Sequence, residues 1–177
     1  MKPTMMMAMV VCVAMAWLTG CQSEKGLYEG CGTIIPSPGT LEDPSTAPLL
    51  MNEDDVTITV AFPHDRVRQG DAITLDVIVR NETDQPIRID AVTSAKLLVD
   101  IWRQTPVGPT RALCYPENDV QVITPWGLKA NGIYVAELTI PVQRTWPTHE
   151  PLDITVTLNG TRIMTPPIRI TALPARP

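Results

Sequence analysis

The chain has 177 residues, 14 of them basic and 19 acidic, for a formal net charge of −5. That length accommodates one domain with a real core, or a domain plus a tail. The acidic balance argues against nucleic acid and against a polybasic membrane contact, and 18 prolines with a single Phe favour short strands and turns over helices.

The chain opens on Lys2 and an uncharged apolar run, Met5 to Leu18. The run suits the h-region of an export signal and is too short to span a bilayer comfortably. It closes on Leu18-Thr19-Gly20-Cys21. These four residues resemble the bacterial lipoprotein signal, in which the chain is cut before the Cys and the thiol is diacylated. The resemblance implies a signal peptide over 1–20, a palmitate-type lipid on Cys21, and membrane attachment in the cell envelope. Two acyl chains meet the requirement for stable anchoring, which one chain does not. Gln22, in place of Asp, favours the outer membrane of a Gram-negative cell. The mature chain of 157 residues (177 − 20) loses Lys2 and carries −6.

Cys12 then leaves with the signal and Cys21 takes the lipid. Cys31 and Cys114 remain, an even pair in an oxidising compartment, and are expected to form a disulfide. A loop of that length is worth on the order of 4 kcal/mol in the chain-entropy model. Residues 21–52 lack a sustained period and are rich in Pro, Gly, Ser and Thr, so they read as a tether.

The domain is expected over 53–177. From Val56 the pattern has period two, through Val56-Ile58-Val60-Phe62 and then Ile73-Leu75-Val77-Val79. A polar turn, Asn81 to Pro86, separates the latter from Ile87-Arg88-Ile89. Strand signals return at 97–102, at 120–123, from Tyr134 to Ile140, and from Leu152 to Leu158. Residues 106–109 read as a loop and 127–132 as a turn region. Asn159-Gly160 predicts a type I′ hairpin with a return strand at Arg162-Ile163-Met164. Pro166-Pro167 makes that strand an edge, or one that bulges and resumes at Ile168. Seven to nine strands without an amphipathic helix predict an all-β, antiparallel sandwich.

The segment Gly70–Ile89 resembles bacterial immunoglobulin-like domains. Residues 54–141 are similar to BsuPI-type proteinase inhibitor domains at Val79-Arg80-Asn81, at the Trp102 strand, and at Leu128–Gly132 before Tyr134, where the family's usual Gly-Glu turn is absent. The resemblance implies an immunoglobulin-like sandwich. No inhibitory loop matches residue by residue.

Candidate chemistry is sparse. His64 and His149 each adjoin an acid, and the bland account is two surface turns rather than half of a zinc site. Glu53-Asp54-Asp55 has no Asp-x-Asp-x-Asp loop for calcium and reads as a solvated cluster. There is no Gly-x-Ser-x-Gly elbow. Trp126 and Trp146, each beside a proline at a strand end, are candidates for binding a glycan or peptide, against the commoner role of plugging a core. The sequons at Asn81 and Asn159 fall where turns favour Asn. The sequence thus favours a lipid-anchored, non-catalytic interaction module with a protein or glycan partner and no cofactor or metal. A protease inhibitor and a carbohydrate-binding accessory domain are the alternatives.

Overall fold

A computed structural model describes residues 39–115 and 122–176. Ten strands follow in chain order: β1 (Val56–Ala61), β2 (Arg66–Arg68), β3 (Ala72–Asn81), β4 (Ile87–Ala91), β5 (Leu97–Thr105), β6 (Gly108–Tyr115), β7 (Thr124–Leu128), β8 (Ile133–Pro141), β9 (Pro151–Leu158) and β10 (Ile168–Leu173). They form sheets of order β1-β3-β8, β2-β10-β9-β5-β6 and β4-β7. The molecule is an all-β sandwich, with ten strands where seven to nine were expected. Among the described residues no helix is long and apolar enough to cross a membrane.

Period two in the sequence becomes burial in the structure. Along β3, Ile73, Leu75, Val77 and Val79 point inward, while Thr74, Asp76, Ile78 and Arg80 point out. Along β9, Leu152, Ile154, Val156 and Leu158 face them in the same core. Burying each such side chain contributes about 1.5–3 kcal/mol, so these two rows hold the sheets together. All strand pairs are antiparallel except β2 with β10. After β1 the chain turns at Pro63 and joins the other sheet as β2, beside β10.

Four local expectations change. β6 was not foreseen, because its exposed residues show no apolar alternation. The strand expected at 120–123 is absent from its described part: Val122 and Ile123 are exposed and outside any strand. The strand is β7 instead, despite Pro125 and Gly127. Gly127 is needed there, because a Cβ would sit 2.4 Å from the Ile87 carbonyl oxygen. Asn159-Gly160 is not a type I′ turn, since of the two only Gly160 has positive φ. The predicted return strand shrinks to one bridge, Met164 to Thr157, and pairing resumes at Ile168 after the two prolines.

Residues 39–50, within the stretch read as tether, lie on the sandwich. Leu41 N donates to Gly127 O, Lys129 N to Gly39 O, and Leu50 N to Arg88 O, while Ala47 is buried. The signal segment, Cys21 and Cys31 lie outside the described residues. Cys114 is half-buried on β6, opposite Asp100.

Candidate functional site

Three buried polar side chains belong to the fold. Asn81, fully buried at the end of β3, donates through Nδ2 to Gln85 O (2.7 Å) and Lys129 O (2.9 Å). Its Oδ1 accepts from Thr83 N (3.1 Å) and Thr83 Oγ1 (2.8 Å). The sequon-like match is therefore a turn device. Asn159 Nδ2 donates to Thr93 Oγ1 and to Ala95 O (2.6 Å), tying the β9 end to the β4–β5 connection. Asp153 on β9 accepts from Gln104 Nε2 (2.7 Å) and from both Nε and Nη2 of Arg169 (2.9 and 3.2 Å). The hydrogen-bonded Arg169 guanidinium holds the Asp153 carboxyl below its usual range.

The residues singled out for chemistry do not assemble. Glu53–Asp55 precede β1 and His64 follows it, so about 17 Å of extended strand intervenes. His149 has φ of +63° and donates its backbone N–H to Ala172 O. Its neighbour Glu150 is taken by Arg103 in a two-pronged ion pair (2.7 and 2.9 Å). Among the described residues no three His, Cys, Asp or Glu side chains come together to hold a metal.

Both candidate tryptophans lie in the core, with only 5% of Trp126 and 7% of Trp146 exposed. This matches the commoner role, plugging a core, and leaves neither candidate ring as a flat surface face. Pro125 and Pro147 stiffen the chain beside each ring, but neighbouring strands close over the indoles. Trp126 packs against Tyr134 at 5.3 Å, and Lys96 Nζ lies 5.2 Å and 4.8 Å from their ring centroids. Burial lowers the Lys96 pKa and raises that of Tyr134. Trp146 lines a mixed pocket of about 210 Å³ with Ile101, Leu113, Gln143, Thr145 and Leu152.

An open cleft of about 540 Å³ lies where β1 leaves its sheet and β2 joins the other. Arg66 and Arg68 flank the buried Val67 on β2, so alternation sends both guanidinium groups outward. Phe62 and His64 meet edge to face (5.8 Å, 85°) on one wall, and Asp71, Thr74 and Asp76 form another. Arg68 Nη1 donates to Pro174 O (3.1 Å). Among the described residues no ion pair engages Arg66, Asp71 or Asp76. The cleft thus offers both signs of charge beside an aromatic edge. Sequence reasoning marked only His64; the alternation of Arg66-Val67-Arg68 was the available signal for the rest.

No protein-family model and no curated protein matches the chain. Among solved structures, the sporulation control protein Spo0M from Bacillus subtilis is similar at TM-score 0.45 and 11% identity, over 67% of this chain and 49% of that one. A β-glucosidase from Listeria innocua is similar at TM-score 0.47 and 8% identity, over 68% of this chain and 16% of that one. The alkylpurine DNA glycosylase AlkC from Pseudomonas fluorescens is similar at TM-score 0.44 and 11% identity, over 67% and 30%. The chain spans half or less of each of these proteins, and likenesses of this size place it in no family.

Proposed function

We propose that this protein is a lipid-anchored, non-catalytic interaction module of the cell envelope, an immunoglobulin-like sandwich that grips a polypeptide partner at the Phe62–Asp76 cleft. The observation that carries the reading is the contrast between spent and unspent polar groups. Asn81, Asn159 and Asp153 serve turns and strands, whereas Arg66, Asp71 and Asp76 line the same open cleft without ion-pair partners among the described residues. Paired opposite charges suit a polypeptide segment that carries both signs, and suit a single-sign polymer poorly. The separation of Glu53–Asp55 from His64 by the length of β1 supports the non-catalytic part. The Leu18–Cys21 segment supports the anchor.

A photo-crosslinking residue at Thr74, in intact cells, tests the cleft. A discrete protein adduct is expected, and it should disappear on Arg66→Glu. Absence of any adduct overturns the reading, as does a hydrolytic activity lost on mutating His64. The anchor has a separate test: Cys21→Ser should move the protein from the membrane to the soluble fraction, and unchanged partitioning would remove the lipid from the account.

A further inference from the structure

Trp102 is the one tryptophan among the described residues that stands outside the core. Its neighbour Ile101 points inward and is buried, so Trp102 lies half-buried on the outer face of the five-stranded sheet. The indole Nε1 donates to Thr155 Oγ1 on β9 (3.1 Å), which fixes the ring against the sheet. Among the described residues no aromatic ring and no cation stacks on it. Polar side chains continue the row to either side, because directly paired residues share a face. On one side Trp102 pairs with Asp153, and Asp153 with Arg169; on the other Trp102 pairs with Arg111. The row crosses four strands, a span of about 14 Å. Its charges are matched within the face. Arg169 is bound to the buried Asp153 (2.9 Å), which also accepts from Gln104, and Arg111 is bound to Asp100 (3.2 Å). β5 and β9 are interior strands, each paired on both sides, so this face presents side chains and no open backbone row.

We propose that this face is a binding platform for a neutral polysaccharide, with Trp102 at its centre. A sugar ring has an apolar C–H face and a rim of hydroxyls that both donate and accept. The C–H face suits a flat indole, whose ring face is its electronegative side. The hydroxyls need donors and acceptors on both flanks of that ring, and the row supplies them. Gln104 Oε1 and Asp100 Oδ2 engage nothing else among the described residues and can accept; Arg169 Nη1 and Arg111 Nη2 are likewise unengaged and can donate. A charged polymer fits poorly, because each charge it engaged would compete with an existing ion pair, whereas a hydroxyl adds to the pairs without breaking them. An extended peptide fits poorly too, because it reads a sheet through an open edge and here both strands are fully flanked. Asp153 is a positioning residue in this account, since from beneath the face it holds both Gln104 and Arg169. The platform shares no residue with the Phe62–Asp76 cleft and stands independently of that reading.

Affinity electrophoresis of the purified protein tests the platform, in gels holding hydroxyethyl cellulose, laminarin, galactomannan or dextran, with anionic alginate as the charged counterpart. Retardation by at least one neutral polymer is expected, and none by alginate. Trp102→Ala should abolish the retardation with circular dichroism unchanged, and Trp102→Tyr, which keeps a flat ring, should retain part of it. Arg111→Ala, at an exposed position, should weaken it several-fold and gives a second reading if Trp102→Ala does not fold. No retardation by any of the four neutral polymers overturns the proposal, as does retardation that survives both Trp102→Ala and Arg111→Ala, or retardation by alginate alone. Arg66→Glu should leave the retardation intact, and Trp102→Ala should leave the Thr74 adduct intact, so failure of the platform and failure of the cleft reading are distinguishable.

Discussion

Asn81 shows how one residue can organise a long-range join. Its side chain makes four hydrogen bonds that close the β3–β4 turn and reach Lys129 before β8. Asn81→Ala leaves two carbonyls and two donors to find other partners in a buried place. Unsatisfied buried groups cost about 1–3 kcal/mol each, partly recovered by water. Urea unfolding should show a loss of about 2–4 kcal/mol, and a loss below 0.5 kcal/mol would mean that the turn is held by other contacts. Asp153 gives a pH dependence of known sign. Its folded pKa is depressed, chiefly by the hydrogen bond from Arg169. Its contribution is therefore present above the ordinary carboxylate pKa and is lost as pH falls through the folded value. Asp153→Asn should destabilise the protein at neutral pH by about 1–3 kcal/mol, and the gap from wild type should narrow below about pH 4. A gap that stays constant down to acid pH would show that shape, rather than charge, is what Asp153 supplies. The Asn81 turn was legible because Asn, Thr, Asp and Pro at those spacings mark a turn by themselves. Asp153 was not, because within the alternation of β9 it occupies an ordinary outward position. Only the neighbouring strands bring Gln104 and Arg169 over it.

At the scale of the element, legibility followed the strength of alternation. β1, β3, β8 and β9 each bury one face against the core, and their apolar rows mark them in sequence. β6 and β7 escaped for opposite reasons. β6 is an edge strand with exposed residues on both faces, so burial imposes no period on it. β7 contains Pro125 and Gly127, which read as breakers. In the fold β7 pairs with β4 on one side, and on the other only Gly127–Lys129 bond to Gly39–Leu41, so Pro125 lies outside that second pairing and deprives it of no bond. The β9–β10 connection departs from a simple hairpin because Gly160 is pressed against β4. A Cβ there would lie 2.2 Å from Asp90 O, and its φ of +88° is already hostile to other residues. Gly160→Ala should cost more than about 1 kcal/mol from conformation alone, with the clash added. Chemical denaturation checks this, and a neutral result would show that the connection relaxes away from β4.

For the whole molecule, the proposed Cys31–Cys114 bridge would set how close the sandwich sits to the proposed anchor. Ten residues separate the expected lipid on Cys21 from Cys31, and eighteen separate it from Gly39, where the chain docks beside Ile133. Fully extended, these lengths reach about 33 Å and about 60 Å. A Cys31–Cys114 bridge would fasten the shorter leash to β6, at the edge of the five-stranded sheet. That edge would then lie within about 33 Å of the bilayer. Without the bridge the proposed anchor would act through the longer leash, which joins the sandwich at the β7–β8 end. The two geometries present different surfaces to a partner. Mass spectrometry of the unreduced mature protein should recover Cys31 and Cys114 in one linked peptide. The Cys114→Ser variant should then admit an envelope protease to the 22–38 segment faster than wild type. Two unlinked thiols, or equal cleavage rates, would assign the longer leash.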